Sequence, residues 1–144
     1  MWFSKKEGQA KPTVKPTTPQ TTKHQGDAAE ALALAHLQQA GLRLQVANYR
    51  TPGRGGGEID LVMRDVDGTL VFVEVRHRAT ASHGGAGASI SATKQRRIIF
   101  AAKHYLMRLN TPPPCRFDVV LIEGALGGLV NPNIEWIAAA FNAD

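Results

Sequence analysis

The chain has 144 residues, 43% hydrophobic, 20% charged and 6% aromatic, which suits one domain able to bury its own core without disulfides or a structural metal. A single cysteine, Cys115, excludes an internal disulfide framework and fits a reducing compartment. No apolar run is long enough to cross a bilayer and no apolar segment follows the first residues as a secretory signal would, so a cytoplasmic protein with no membrane partner is expected. The net charge of +5 divides unevenly: residues 1–25 hold five Lys and one Glu, and residues 26–144 keep only +1.

Residues 1–25, rich in Lys, Thr, Pro and Gln, have almost nothing to bury and read as a disordered basic tail, with residues 26–144 as the folded domain. Asp27 can cap a helix that runs to about Ala40, with Gly41 as its stop. Leu42, Leu44 and Val46 alternate with Arg43, Gln45 and Ala47, a strand pattern, and Pro52 with Gly53 and Gly55–Gly57 makes a loop. Two strong strands follow, Glu58–Asp65 and Thr69–Arg78. Ala79–Ala92, mostly Gly, Ala and Ser, predicts a slack loop around His83-Gly84-Gly85. Thr93–Leu109 keeps Ile98, Ala102, Tyr105, Leu106 and Leu109 at helical spacing until Pro112-Pro113-Pro114. Arg116–Glu123 is apolar enough for a strand buried on both faces, and Ile134–Phe141 fits either a short strand or a helix. The order α-β-β-β-α-β predicts an α/β fold, a mixed sheet flanked by helices.

The two strong strands set their own register. A three-residue loop, Val66-Asp67-Gly68, puts Asp65 opposite Thr69, then Met63 opposite Val71, Leu61 opposite Val73 and Ile59 opposite Val75 on one side. On the other side Asp60 faces Glu74 and Glu58 faces Arg76. Two opposed carboxylates repel unless a proton, an Arg or a divalent cation neutralises them, and hard oxygen ligands at this spacing suit Mg²⁺ or Mn²⁺. An ion pair among Glu58, Glu74 and Arg76 accounts for the pattern equally well. Two helical residues point to the same place: Glu30 lies in a stripe with Leu34 and Leu37, and Lys94 in a stripe with Ile98, Ala102 and Tyr105.

Gly57-Glu58-Ile59-Asp60-Leu61-Val62 followed by Phe72-Val73-Glu74-Val75-Arg76 resembles the D…E-x-K core of the PD-(D/E)XK nuclease superfamily. With Gly26, Glu30, Asn48-Tyr49-Arg50, Lys94 and Arg116-Phe117-Asp118-Val119, the chain resembles more narrowly the YraN-like family (uncharacterised protein family 0102), a presumed relative of Holliday-junction resolvases. The resemblance implies a restriction-endonuclease-like fold and an endonuclease acting on structured or branched DNA. It implies Mg²⁺ or Mn²⁺ held by Asp60, Glu74 and the Val75 carbonyl, with Glu30 close by, and by analogy a homodimer. Arg76 stands where the superfamily has Lys. Arg keeps the charge but stays protonated, so it cannot serve as a base. That departure leaves two alternatives: a weakened nuclease fold that only binds nucleic acid, and an interaction domain with an inert ion-pair face.

The helix from Thr93 is basic, with Arg96, Arg97 and Lys103 as candidates for backbone phosphates. Five His and one Cys show no zinc spacing. The Gly53–Gly57 loop lacks the Lys-Ser/Thr of a nucleotide-binding P-loop, and His77 and His83 have no nucleophile partner.

Overall fold

The computed structural model describes residues 22–80 and 89–143. Its elements are α1 (Thr22–Gln39), β1 (Arg43–Arg50), β2 (Glu58–Arg64), β3 (Leu70–Arg78), α2 (Ala92–Leu106), β4 (Cys115–Glu123) and β5 (Asn133–Phe141). The strands form one mixed sheet in sequential order, antiparallel from β1 to β3, parallel between β3 and β4, and antiparallel again to β5. The single parallel pair needs a crossover, and α2 supplies it.

Each face of the sheet buries one helix. Ala29, Ala33 and Leu37 of α1 cover Leu61, Met63, Val71 and Val73. Ile98, Ala101 and Ala102 of α2 cover Val62, Leu70, Phe72, Phe117 and Val119. β3 and β4 are therefore sandwiched, which explains the unbroken apolar run of Val119–Ile122.

The β2–β3 turn closes as the sequence predicts. Asp65 N–H donates to the Thr69 carbonyl at 2.8 Å, Gly68 N–H donates to Asp65 at 2.9 Å, and Gly68 takes φ +91°. The bulge needs that left-handed residue, and glycine adopts it freely. The ladder then pairs Met63 with Val71 and Leu61 with Val73.

Three expectations change, and the open choice at Ile134–Phe141 is settled. α1 starts at Thr22, so Asp27 is inside the helix and pairs with Lys23 one turn earlier at 3.1 Å; Gly26 weakens a helix without breaking it. Residues 22–25 are thus helical, and the rest of the basic tail, with the His83 loop, lies outside the described residues. α2 ends at Leu106 because Arg108 and Leu109 N–H groups bond three residues back, tightening the chain before the prolines. Ile134–Phe141 is a strand, paired to β4 along its length. The β2–β3 ladder covers only Leu61–Arg64, so Ile59 does not pair with Val75 nor Glu58 with Arg76.

Asp118 is fully buried on β4 because its carboxylate is saturated. It accepts from Arg116 Nε (3.1 and 3.2 Å), Trp136 Nε1 (2.9 Å) and Ala139 N–H (2.9 Å), the last at φ +51° where the β4–β5 register shifts. This aspartate fastens the edge strand by side-chain bonds where the ladder is interrupted.

α2 rides directly on the start of β2. A Cβ added to Gly57 would stand 1.9 Å from the Arg97 carbonyl oxygen and 3.0 Å from Ala101 N, both backbone atoms. Thr51 clamps the same residue, accepting from Gly57 N–H at 2.8 Å. Gly57→Ala should therefore destabilise the fold by about 1–3 kcal/mol in urea unfolding, the cost of overpacking. Gly26→Ala, in an open helical position, should stabilise it by roughly 0.5–1 kcal/mol.

Candidate functional site

The site lies where β2 and β3 part. In a regular strand Ile59 and Leu61 would share a side. Here Leu61 packs beneath α1, whereas Ile59 packs beneath α2. The switch coincides with Asn48, which sits across from Asp60, between the Ala47–Leu61 and Tyr49–Ile59 pairs, and takes φ +54°. Asn tolerates this left-handed conformation better than most residues. Where the β2–β3 ladder stops, Asp60 replaces it: Val75 N–H donates to Asp60 Oδ2 at 2.8 Å. Asp60 and Glu74 are brought together one step past the last ladder pair, Leu61–Val73, and their side chains interact there although the expected ladder pairing of the two does not form.

Charge is concentrated in little water here. Burial pushes the Glu74 carboxyl up to about 8, and Asp60 adds to the rise while Lys94 opposes it. Burial also raises the Asp60 carboxyl, against the Val75 N–H bond and the Lys94 charge. Glu30 on α1 is raised to about 7, first by burial and then by Asp60, with the Asn48 amide favouring its charged form. Glu74 Oε2 lies 3.5 Å from Lys94 Nζ, but Glu74 Oε1 is buried without a hydrogen-bond partner. Among the described residues no three His, Cys, Asp or Glu side chains converge as a preformed cage.

Lys94 reaches Glu74 because Ser91 caps α2, accepting from Lys94 N–H at 3.1 Å, so the helix begins beside the carboxylate. Arg76 takes a different path from the ion pair considered above. Its guanidinium donates to the Ser89 carbonyl, while Glu74 pairs with Lys94, and Glu58 with Arg97 at 3.5 Å. The ladder ends before Arg76, which frees it to follow the chain leading into α2. Arg76 still lines, with Glu74, Ser91 and Lys94, an open cleft of 430 Å³.

The three basic candidates on α2 separate. Arg97 turns to Glu58 and to the Gly56 carbonyl (3.4 Å), beside the glycine loop. Arg96 and Lys103 are exposed and line another cleft. His77 Nε2 bonds the Gly124 carbonyl at 2.9 Å, a structural contact. Asn48 escaped the sequence reading as a site residue; its place in the Asn48-Tyr49-Arg50 run gave no sign of a left-handed turn beside Glu30.

A model of the family described as "Uncharacterised protein family UPF0102" matches residues 29–122. The chain is 63% identical over 155 residues to a UPF0102 protein of Polaromonas naphthalenivorans, covering 99% of each. It is 71% identical over 123 residues to one of Albidiferax ferrireducens, covering 85% of this chain and 91% of the relative. One from Polaromonas sp. strain JS666 is 61% identical over 149 residues, covering 99% of each.

The raised carboxyls make stability depend on pH. Between the ordinary value of 4.5 and the raised values of about 7 and 8, the folded protein keeps protons that the unfolded chain has released. Stability should therefore fall as pH rises through that window. The melting temperature at pH 8 should be a few degrees below that at pH 5.5, and Glu74→Gln should flatten the slope.

Proposed function

The chain belongs to uncharacterised protein family UPF0102, and from that premise and the site geometry we propose that it is a metal-dependent endonuclease acting on structured or branched DNA. The observation that carries this reading is the buried Asp60–Glu74 pair, two carboxyls within hydrogen-bond reach of each other, with no protein donor left over for Glu74 Oε1. Leaving such an oxygen unsatisfied is costly, and the site lets it persist. The donors are all hard oxygens, which fits Mg²⁺ or Mn²⁺ and disfavours softer metals. Asp60, Glu74 and the Val75 carbonyl would hold the ion, with Glu30 beside Asp60.

When bound, the cation would supply a more acidic water and stabilise charge on a phosphate oxygen. The protein's own groups would do the rest. Lys94 pairs with Glu74 and lines the same cleft, where its ammonium can reach a phosphate oxygen. Arg76, permanently charged, lines the same cleft and can hold a phosphate without moving a proton. Glu30, raised to about 7, can exchange a proton near neutral pH.

One observation favours a second reading, a weakened nuclease fold that only binds nucleic acid. Arg76 occupies the superfamily's Lys position, and its guanidinium is tied to the Ser89 carbonyl. The two readings part on a cleavage panel of linear, flapped and four-way DNA with Mg²⁺ or Mn²⁺, with Asp60→Ala as control. Slow metal-dependent cleavage is expected, raised by Arg76→Lys and lowered roughly 100-fold by Lys94→Ala. Binding without cleavage in every arm would select the second reading. Mn²⁺ should also raise the melting temperature by mass action, about 2.7 kcal/mol of stability at 100 times its Kd. Asp60→Asn should abolish that response; if the response survives, the ion binds elsewhere.

A further inference from the structure

Outside the carboxylate site, an open cleft runs along the outer side of α2 and ends at Asn142 and Ala143, just past β5. It measures 560 Å³, and Arg96, Phe100, Lys103 and Asn142 line it. Arg96, Phe100 and Lys103 are spaced four and three residues apart, so one helical stripe presents cation, aromatic ring and cation in turn. Phe100 is 54% exposed, although α2 has a sheet face beside it that buries Ile98, Ala101 and Ala102. A lone exposed apolar residue is ordinary on a protein surface. A Phe ring set in a cleft between two cations, with no acid among the described lining residues, is a more specific arrangement.

We propose that this groove holds an unpaired nucleotide of a DNA substrate, its base stacked on Phe100 and its flanking phosphates on Arg96 and Lys103. The inference rests on the nucleic-acid reading above and deepens it by specifying a single-stranded element in the substrate. The occupant follows from the charges: two cations with no acid among the described lining residues select an anionic ligand, and the ring between them needs a flat apolar face. A nucleotide strand offers both at one repeat, and stacking tolerates any base because each has a π face. The volume lies within the range of small-molecule clefts, enough for a nucleotide. The position suits the same strand. Six residues separate Lys94 from Phe100, about 9 Å along the helix axis. Phe100 also lies about a third of a turn round the helix from Lys94, so a strand with one phosphate at the carboxylate cleft reaches the ring several nucleotides further on. A branch point or flap provides unpaired nucleotides at that distance; an intact duplex does not.

The test measures binding of fluorescently labelled DNA to the full chain by anisotropy, without divalent metal so that no cleavage intervenes. The probes are a single strand, a duplex with a single-stranded flap and a blunt duplex. Phe100→Ala should weaken the single strand and the flap about tenfold and leave the blunt duplex within twofold, while Phe100→Tyr should restore binding. With 2-aminopurine placed in the flap, wild type should quench its emission and Phe100→Ala should not. Arg96→Ala and Lys103→Ala should each lower the salt slope by about one on these two probes. Equal losses on all three probes, or none, would overturn the groove while leaving the nucleic-acid reading intact. Failure of wild type to bind any probe would overturn both. Conversion of a wild-type dimer to a monomer by Phe100→Ala would make the groove a contact between copies and overturn the proposal.

Discussion

Two carboxyl groups on neighbouring strands, Asp60 and Glu74, share a space with little water, and much of the surrounding structure serves to make that tolerable. Burial is the largest contribution raising either group. A backbone N–H from Val75 supports Asp60 and an ammonium from Lys94 supports Glu74. The support of Glu74 is incomplete, since its Oε1 meets no protein donor beyond the bond the two carboxyls share. Removing the Lys94 ammonium would push the Glu74 carboxyl further up, so the pair would answer by holding its proton to higher pH.

The fold fixes these groups from three directions. The β2–β3 turn sets the pairing up to Leu61 and Val73, and Asp60 meets Glu74 just beyond it, with its carboxylate on the Val75 N–H. The parallel β3–β4 pair requires a crossover, and its helix starts at Ser91, bringing Lys94 over Glu74. α1, on the other face, brings Glu30 to Asp60 near the point where Asn48 turns left-handed. Gly57 lets α2 come this close: any side chain there would strike the helix backbone. A site assembled from both faces must sit where the sheet is interrupted, and the missing β2–β3 rungs beyond Leu61 are that interruption.

What could be read in the sequence was whatever short-range periodicity dictates. The loop Val66-Asp67-Gly68 fixed the pairing of Leu61 with Val73, and the helical stripes aimed Glu30 and Lys94 at the sheet. Periodicity carries no trace of a reversal, however. Ile59 packs on the other face from Leu61, opposite the left-handed Asn48, although both occupy the same phase of an alternating pattern. Arg76 was misplaced for a related reason: its partner, the Ser89 carbonyl, belongs to the chain entering α2, not to the opposite strand. Asp118 reads as an odd charge in an apolar strand until Trp136 and Ala139, 18 and 21 residues later, complete its bonds. Alternation and helical spacing cannot supply partners at such separations.

Composition was least informative about the basic helix, because charge counts do not say where charges point. Lys94, Arg97 and the Arg96–Lys103 pair belong to one α2, but they meet different surroundings. Lys94 is held inward by Glu74, Arg97 sideways by Glu58, and Arg96 and Lys103 remain outward with Phe100 between them. Only the outward pair is without an acidic side chain among the described contacts and cleft residues. A net charge of +1 over residues 26–144 therefore coexists with a concentrated positive stripe. Neutralisation happens pair by pair at the site, and Arg96 and Lys103 stay on the outer side of the same helix. The attraction such a stripe exerts depends on its local density within a Debye length of about 8–10 Å, and the body's near-neutral total does not diminish it.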